Sequence, residues 1–102
     1  MIAQEEILDF IHRRFKQDCN WKTGNCYYFA VILATRFENY DPVLYYDTVD
    51  GHFLCRINNV FYDWSGAVAF SDEYVSKYIK RWADLYKEDP IWYSRIVRDV
   101  IL

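Results

Sequence analysis

The stretch that most constrains this chain is Tyr27-Tyr28-Phe29-Ala30-Val31-Ile32-Leu33-Ala34, eight consecutive apolar residues. Read as a helix, it has no polar face, so other parts of the chain must surround it on most sides. At 102 residues there is one core to build, and residues 1–102 read as a single domain. The material is there: 53% of residues are hydrophobic and 21% aromatic, far from the composition of a disordered chain. Just before the run, the polar turn Thr23-Gly24-Asn25 delivers Cys26 to the helix start. Free N–H groups and partial positive charge at a helix N-terminus favour a thiolate, which makes Cys26 the candidate nucleophile.

The remaining elements follow from spacing. From about Ile2 to Phe15, residues Ile7, Leu8, Ile11 and Phe15 recur at helical intervals, with Glu5 and Glu6 early and Arg13 late, as suits the helix dipole. A polar loop covers Lys16 to Asn25. The second helix runs from about Cys26 to Phe37 and breaks at Glu38-Asn39-Tyr40-Asp41-Pro42. Val43 to Val49, His52 to Ile57 and Val60 to Trp64 read as strands, turned at Asp50-Gly51 and Asn58-Asn59. A third helix starts near Ser71-Asp72-Glu73 and carries the stripe Tyr74, Val75, Tyr78, Ile79, Trp82, Leu85 and Tyr86. A last one begins at Asp89-Pro90, proline suiting the first helical position. The expectation is an α+β domain: two N-terminal helices, an antiparallel sheet of three strands with room for a fourth, and two C-terminal helices.

The Asn58-Asn59 turn sets a register. Ile57 faces Val60, Cys55 faces Tyr62, and Leu54 faces Asp63. Side chains alternate, so His52 shares a face with Leu54 and Asp63, about 7–8 Å from Asp63 along a diagonal. The other face holds Phe53, Cys55, Ile57, Val60, Tyr62 and Trp64, apolar throughout. Cys26, His52 and Asp63 supply a nucleophile, a base and a group to orient the base, which thiol acyl transfer requires.

A cysteine at a helix start, then a histidine at a strand start, then an aspartate on the partner strand resembles the papain-like fold in its compact transglutaminase-like and bacterial forms. The resemblance covers roughly Asn20 to Trp64 and implies a compact papain-like domain. It also implies an oxyanion donor six residues before the nucleophile, where this chain has Asn20 in place of the family's glutamine, one methylene shorter. The backbone N–H of Cys26 is a second donor. Gly24 and Tyr27 match the family's glycine and aromatic positions. In the implied mechanism His52 takes the Cys26 proton, the thiolate attacks a protein or peptide-like amide or a thioester, and Asp63 holds the His52 tautomer. Water then gives hydrolysis and an amine gives transfer, with no cofactor involved.

The same sequence bears on other classes of function. A net charge of −3 argues against nucleic-acid binding, which calls for surplus Lys and Arg, although His12 to Lys16 and Lys77 with Lys80-Arg81 are local basic clusters. The longest apolar run falls far short of the roughly 20 residues of a membrane span. The first residues are acidic and lack the apolar region of a signal peptide, and three cysteines have no disulfide-framework spacing, so a cytoplasmic protein is expected. A metal site from Cys19, Cys26, His52 and Cys55 is disfavoured, because His52 and Cys55 point to opposite faces. The alternative to an enzyme is a non-catalytic protein, of the bacterial or phage accessory kind, that binds or inhibits a protein target.

Overall fold

The computed structural model describes residues 4–15 and 26–101. Asn20, Cys19, Gly24 and the turn ahead of Cys26 lie outside the described residues. Helix α1 (Gln4–Arg14) and helix α2 (Cys26–Arg36) come first, followed by a 3₁₀ turn over Glu38–Tyr40 and then the strands. These are β1 (Val43–Asp47), β2 (His52–Ile57), β3 (Val60–Asp63) and β4 (Gly66–Val68). Helix α3 (Asp72–Tyr78), strand β5 (Ile79–Arg81), helix α4 (Trp82–Glu88) and helix α5 (Pro90–Ile96) complete the order, α5 running on into a wider π-type turn over Val97–Ile101. The strands form an antiparallel sheet in the order β4-β3-β2-β1-β5.

The α+β class is as expected; the element counts are corrected. Two strands join the expected three. β4 pairs Ala67 with Tyr62 and closes one edge. β5 interrupts what the helical stripe made into one long helix: Tyr45, Tyr46 and Asp47 of β1 pair with Arg81, Lys80 and Ile79. The edge of β1 presents unpaired N–H and C=O groups, and three extended residues satisfy them while Ile79 is buried. That gain outweighs continuing the helix, and the described residues after β4 form three helices, α3, α4 and α5, with β5 between the first two.

Local signals held elsewhere. Ser71 caps α3, its hydroxyl accepting from the Tyr74 N–H at 3.1 Å. Asp89 caps α5 by accepting from the Trp92 N–H at 3.0 Å, with Pro90 at the first helical position. Asn58 and Asn59 both adopt positive φ, 52° and 66°, the backbone that a two-residue hairpin turn needs. The register is the expected one, with Ile57 opposite Val60 and Cys55 opposite Tyr62.

The two faces of the sheet are packed unequally. Leu44, Tyr46, Phe53, Cys55, Ile57, Val60 and Tyr62 meet α1, α2, α4 and α5 in one cluster that includes Ile7, Ile11, Phe29, Leu33, Leu85 and Ile96. Aromatic rings knit it together: Phe53 lies 4.9 Å from Trp82, 5.0 Å from Tyr46 and 5.1 Å from Tyr27, all edge-on. The second face carries Tyr45, Leu54 and Ile79, with Val43, Phe61, Phe70, Tyr74 and Val75 packed against them. Among the described residues α3 is the helix that contributes to this smaller cluster, through Tyr74 and Val75.

Candidate functional site

Cys26 is the first residue of α2 and is buried against the helix-packed face. Burial pushes its thiol above the ordinary range, and the backbone N–H groups of Phe53, Tyr27 and Cys26 itself pull it partway back. The helix start does act in the expected sense, but desolvation is the larger effect. The neighbours of the thiol are rings. Tyr46 is raised first by burial and then by the charge a Cys26 thiolate would place beside it, which locates the two side by side. Cys55 is inert by position, its thiol pushed up to about 12 by burial.

His52 stands elsewhere. It pairs with Asp47 across β1 and β2, and its ring nitrogen lies within 4.8 Å of ligand atoms of both Asp47 and Asp50. Asp47 points to the second face, where Tyr74 of α3 donates to both its oxygens at 2.9 and 3.0 Å. Its neighbour Phe53 fills the first face beneath α2, so alternation puts His52 on the side away from Cys26. Asp63 does alternate onto the face of His52 and Leu54, but its carboxylate serves a local turn: it accepts from the Ser65 N–H at 2.8 Å and the Ser65 hydroxyl at 2.5 Å. The structure brings His52 and Asp63 to one face and does not bring Cys26 to join them.

The signal for this arrangement was available in the pattern. An all-apolar helix must cover the apolar face of the sheet, and Cys26, as its first residue, goes with it. The parity of β2 then puts His52 on the other face, beside Asp47 and Asp50.

The second face holds two features that motif reading missed. Asp47 is fully buried and organises the β1–β2 turn: its Oδ1 accepts from Val49 N–H at 2.9 Å and Asp50 N–H at 3.2 Å, besides the Tyr74 hydroxyl. Asp47, Asp50 and His52 are the described residues whose donor atoms are close enough to share a cation. Asp47's bonds already serve the turn and Tyr74, so the cluster is assigned to holding the hairpin. Tyr74 in return has its hydroxyl pushed up to about 12, by desolvation first and then by the bond to Asp47 and the charges of Asp47 and Asp50.

Arg56 is the other feature, the one charged side chain in the strand His52-Phe53-Leu54-Cys55-Arg56-Ile57 apart from the histidine that begins it. It is half-buried, it donates to the Tyr45 hydroxyl at 3.1 Å and to Asn59 Oδ1, and its guanidinium lies 6.0 and 5.9 Å from the ring centres of Tyr45 and Phe61. A cavity of 540 Å³ opens beside it, with Phe70, Val75 and the β4 residues Ala67 and Val68 among its walls. A lone cation inside an apolar strand is the signal by which it stands out in the sequence.

A family model described as phage YunG-like protein matches residues 4–95. That span takes in every described strand and leaves out residues 1–3 and 96–102. The chain belongs to this family. Neither the curated proteins nor the solved structures contain a match to it. Among the described residues of this family member, no helix is long and apolar enough to cross a membrane.

Proposed function

We propose that this phage YunG-like chain is a partner-binding protein that acts on a protein target without covalent catalysis. The observation that carries the reading is that His52 pairs with Asp47 and lies within 4.8 Å of the Asp47 and Asp50 ligand atoms on the second face, while Cys26 packs with Phe53 on the first. A buried thiol raised by desolvation, with no base beside it among the described residues, is a poor nucleophile. What favours binding is the second face, where polar and aromatic groups line a cavity in the manner of recognition surfaces rather than of a closed core. The partner is sought in bacterial cells, in keeping with the phage family description.

The test compares the chain with its Cys26→Ser variant. Each is immobilised, the partner retained from bacterial lysate is identified, and the purified complex is measured by calorimetry. The same partner with an affinity unchanged within about twofold is expected, since a small buried side chain rarely dominates a binding surface. Turnover of an amide or thioester substrate by the chain, lost in Cys26→Ser, overturns the reading.

A second reading, a thiol hydrolase or acyltransferase on a papain-like scaffold, keeps one specific support. The backbone N–H groups of Phe53, Tyr27 and Cys26 favour the Cys26 thiolate, the sense an activated thiol requires, although burial outweighs them. It needs a rearrangement that carries His52 round the start of β2 to the helix-packed side.

A further inference from the structure

Arg56 occupies a position that the packing of the sheet does not require. An arginine has five N–H donors; Tyr45 and Asn59 take one each, and among the described residues the other three have no protein acceptor. No described carboxylate lies within ion-pairing distance either, the ion pairs being Lys77 with Glu73 and Arg98 with Asp99. The guanidinium is nonetheless fixed. Two hydrogen bonds and two aromatic rings hold it, so its remaining donors stand ready with little rotamer freedom left to lose.

We propose that the Arg56 cavity is a subsite for a carboxylate side chain with an apolar neighbour, presented by an extended segment of the protein partner. The proposal rests on the reading of the chain as a binding protein and names the chemistry of what it binds. Three donors in a planar fork suit the two parallel bonds a carboxylate accepts. The walls fit the apolar neighbour: Tyr45, Phe61 and Val75 are partly or wholly buried, and Phe70 stacks on Tyr74 at 5.1 Å with the rings nearly parallel. Charge chooses among anions. One guanidinium matches one negative charge, while Asp72 on the same cavity and Asp41 on the adjoining one, which also reaches Arg56, oppose a dianion such as phosphate. The overall charge of −3 opposes a polyanion in the same sense.

The experiment is an NMR titration of the full chain, following the Arg56 Nε–H signal and the backbone amides of Phe61 and Val68. The probes are acetyl-Phe-Glu-Ala-amide, its glutamine counterpart and inorganic phosphate. The glutamate peptide is expected to shift these signals saturably, at least about tenfold more tightly than the glutamine peptide, as loss of one charge-assisted pair implies. Arg56→Gln is expected to abolish the difference with the spectrum away from the cavity unchanged. Asn59→Ala, which keeps the charge and frees the fork, is expected to weaken the glutamate peptide severalfold. Equal binding of the two peptides, binding of neither, or phosphate binding more tightly than the glutamate peptide overturns the proposal. Those outcomes leave the Cys26→Ser partner measurement untouched, so the two readings fail separately.

Discussion

The two faces of the sheet divide the molecule. On one, Phe53, Cys55, Ile57 and Tyr62 are shut under four helices, and even Cys26 at a helix start loses more to burial than it gains from the backbone N–H groups around it. On the other, among the described residues, one short helix packs on Leu54 and Ile79, and Asp47, His52, Arg56 and Asp63 keep polar partners. The difference teaches that a helix start activates a thiol only where the site stays solvated or gains a charged partner. Here the nucleophile type is on the dry face and the charged groups are on the other.

The largest effects belong to the dry face. Phe53 is fully buried and touches rings from α2, β1 and α4, so Phe53→Ala is expected to cost about 3–5 kcal/mol in urea denaturation. Phe61→Ala, on the half-covered face, is expected to cost less than half as much; equal losses would remove the asymmetry between the faces. Next comes Asp47, the buried charged residue among those described. Asp47→Ala strands two backbone N–H groups and the Tyr74 hydroxyl, and about 2–3 kcal/mol is the expected loss by the same denaturation.

The same contact gives a pH signature. The Tyr74 hydroxyl is pushed up from 10.0 to about 12, so the folded state disfavours its ionisation. That contribution is fully present below the unfolded value near 10 and is lost as pH rises through about 12, so stability should fall across this window. Burial also raises Tyr46 and Tyr62, so the readout is a difference: in absorbance titration Asp47→Asn should move one of the late tyrosines back toward the ordinary range and leave the others in place. The smallest effect is at the surface: Lys77→Ala breaks an exposed pair with Glu73, 2.8 Å long, and should change stability by no more than about 0.5 kcal/mol.

Much of the fold was legible because its signals are local. Asn58-Asn59 announced both the turn and its register, and Ser71 and Asp89-Pro90 announced helix starts. β5 was hidden because Ile79, Lys80 and Arg81 fit a helical stripe as well as a strand, and the deciding partner, the open edge of β1, lies more than 30 positions away in sequence. At the candidate site, the shared face of His52 and Asp63 followed from alternation, whereas the side taken by Cys26 rests on a second pattern, the all-apolar α2 that covers the apolar face of the sheet. Arg56 and Asp47 belong to no motif. Their importance comes from what the folded chain brings near them.

The most direct test is the rate at which Cys26 reacts with iodoacetamide in the folded protein, located by mass spectrometry and followed against pH, with and without His52→Ala. The account predicts a Cys26 at least about 100-fold slower than in the urea-unfolded chain, rising only at alkaline pH and indifferent to His52→Ala. A fast Cys26 whose reactivity persists below pH 7 and falls in His52→Ala would contradict it, because that behaviour requires a thiolate paired with an imidazolium on the same side of the sheet.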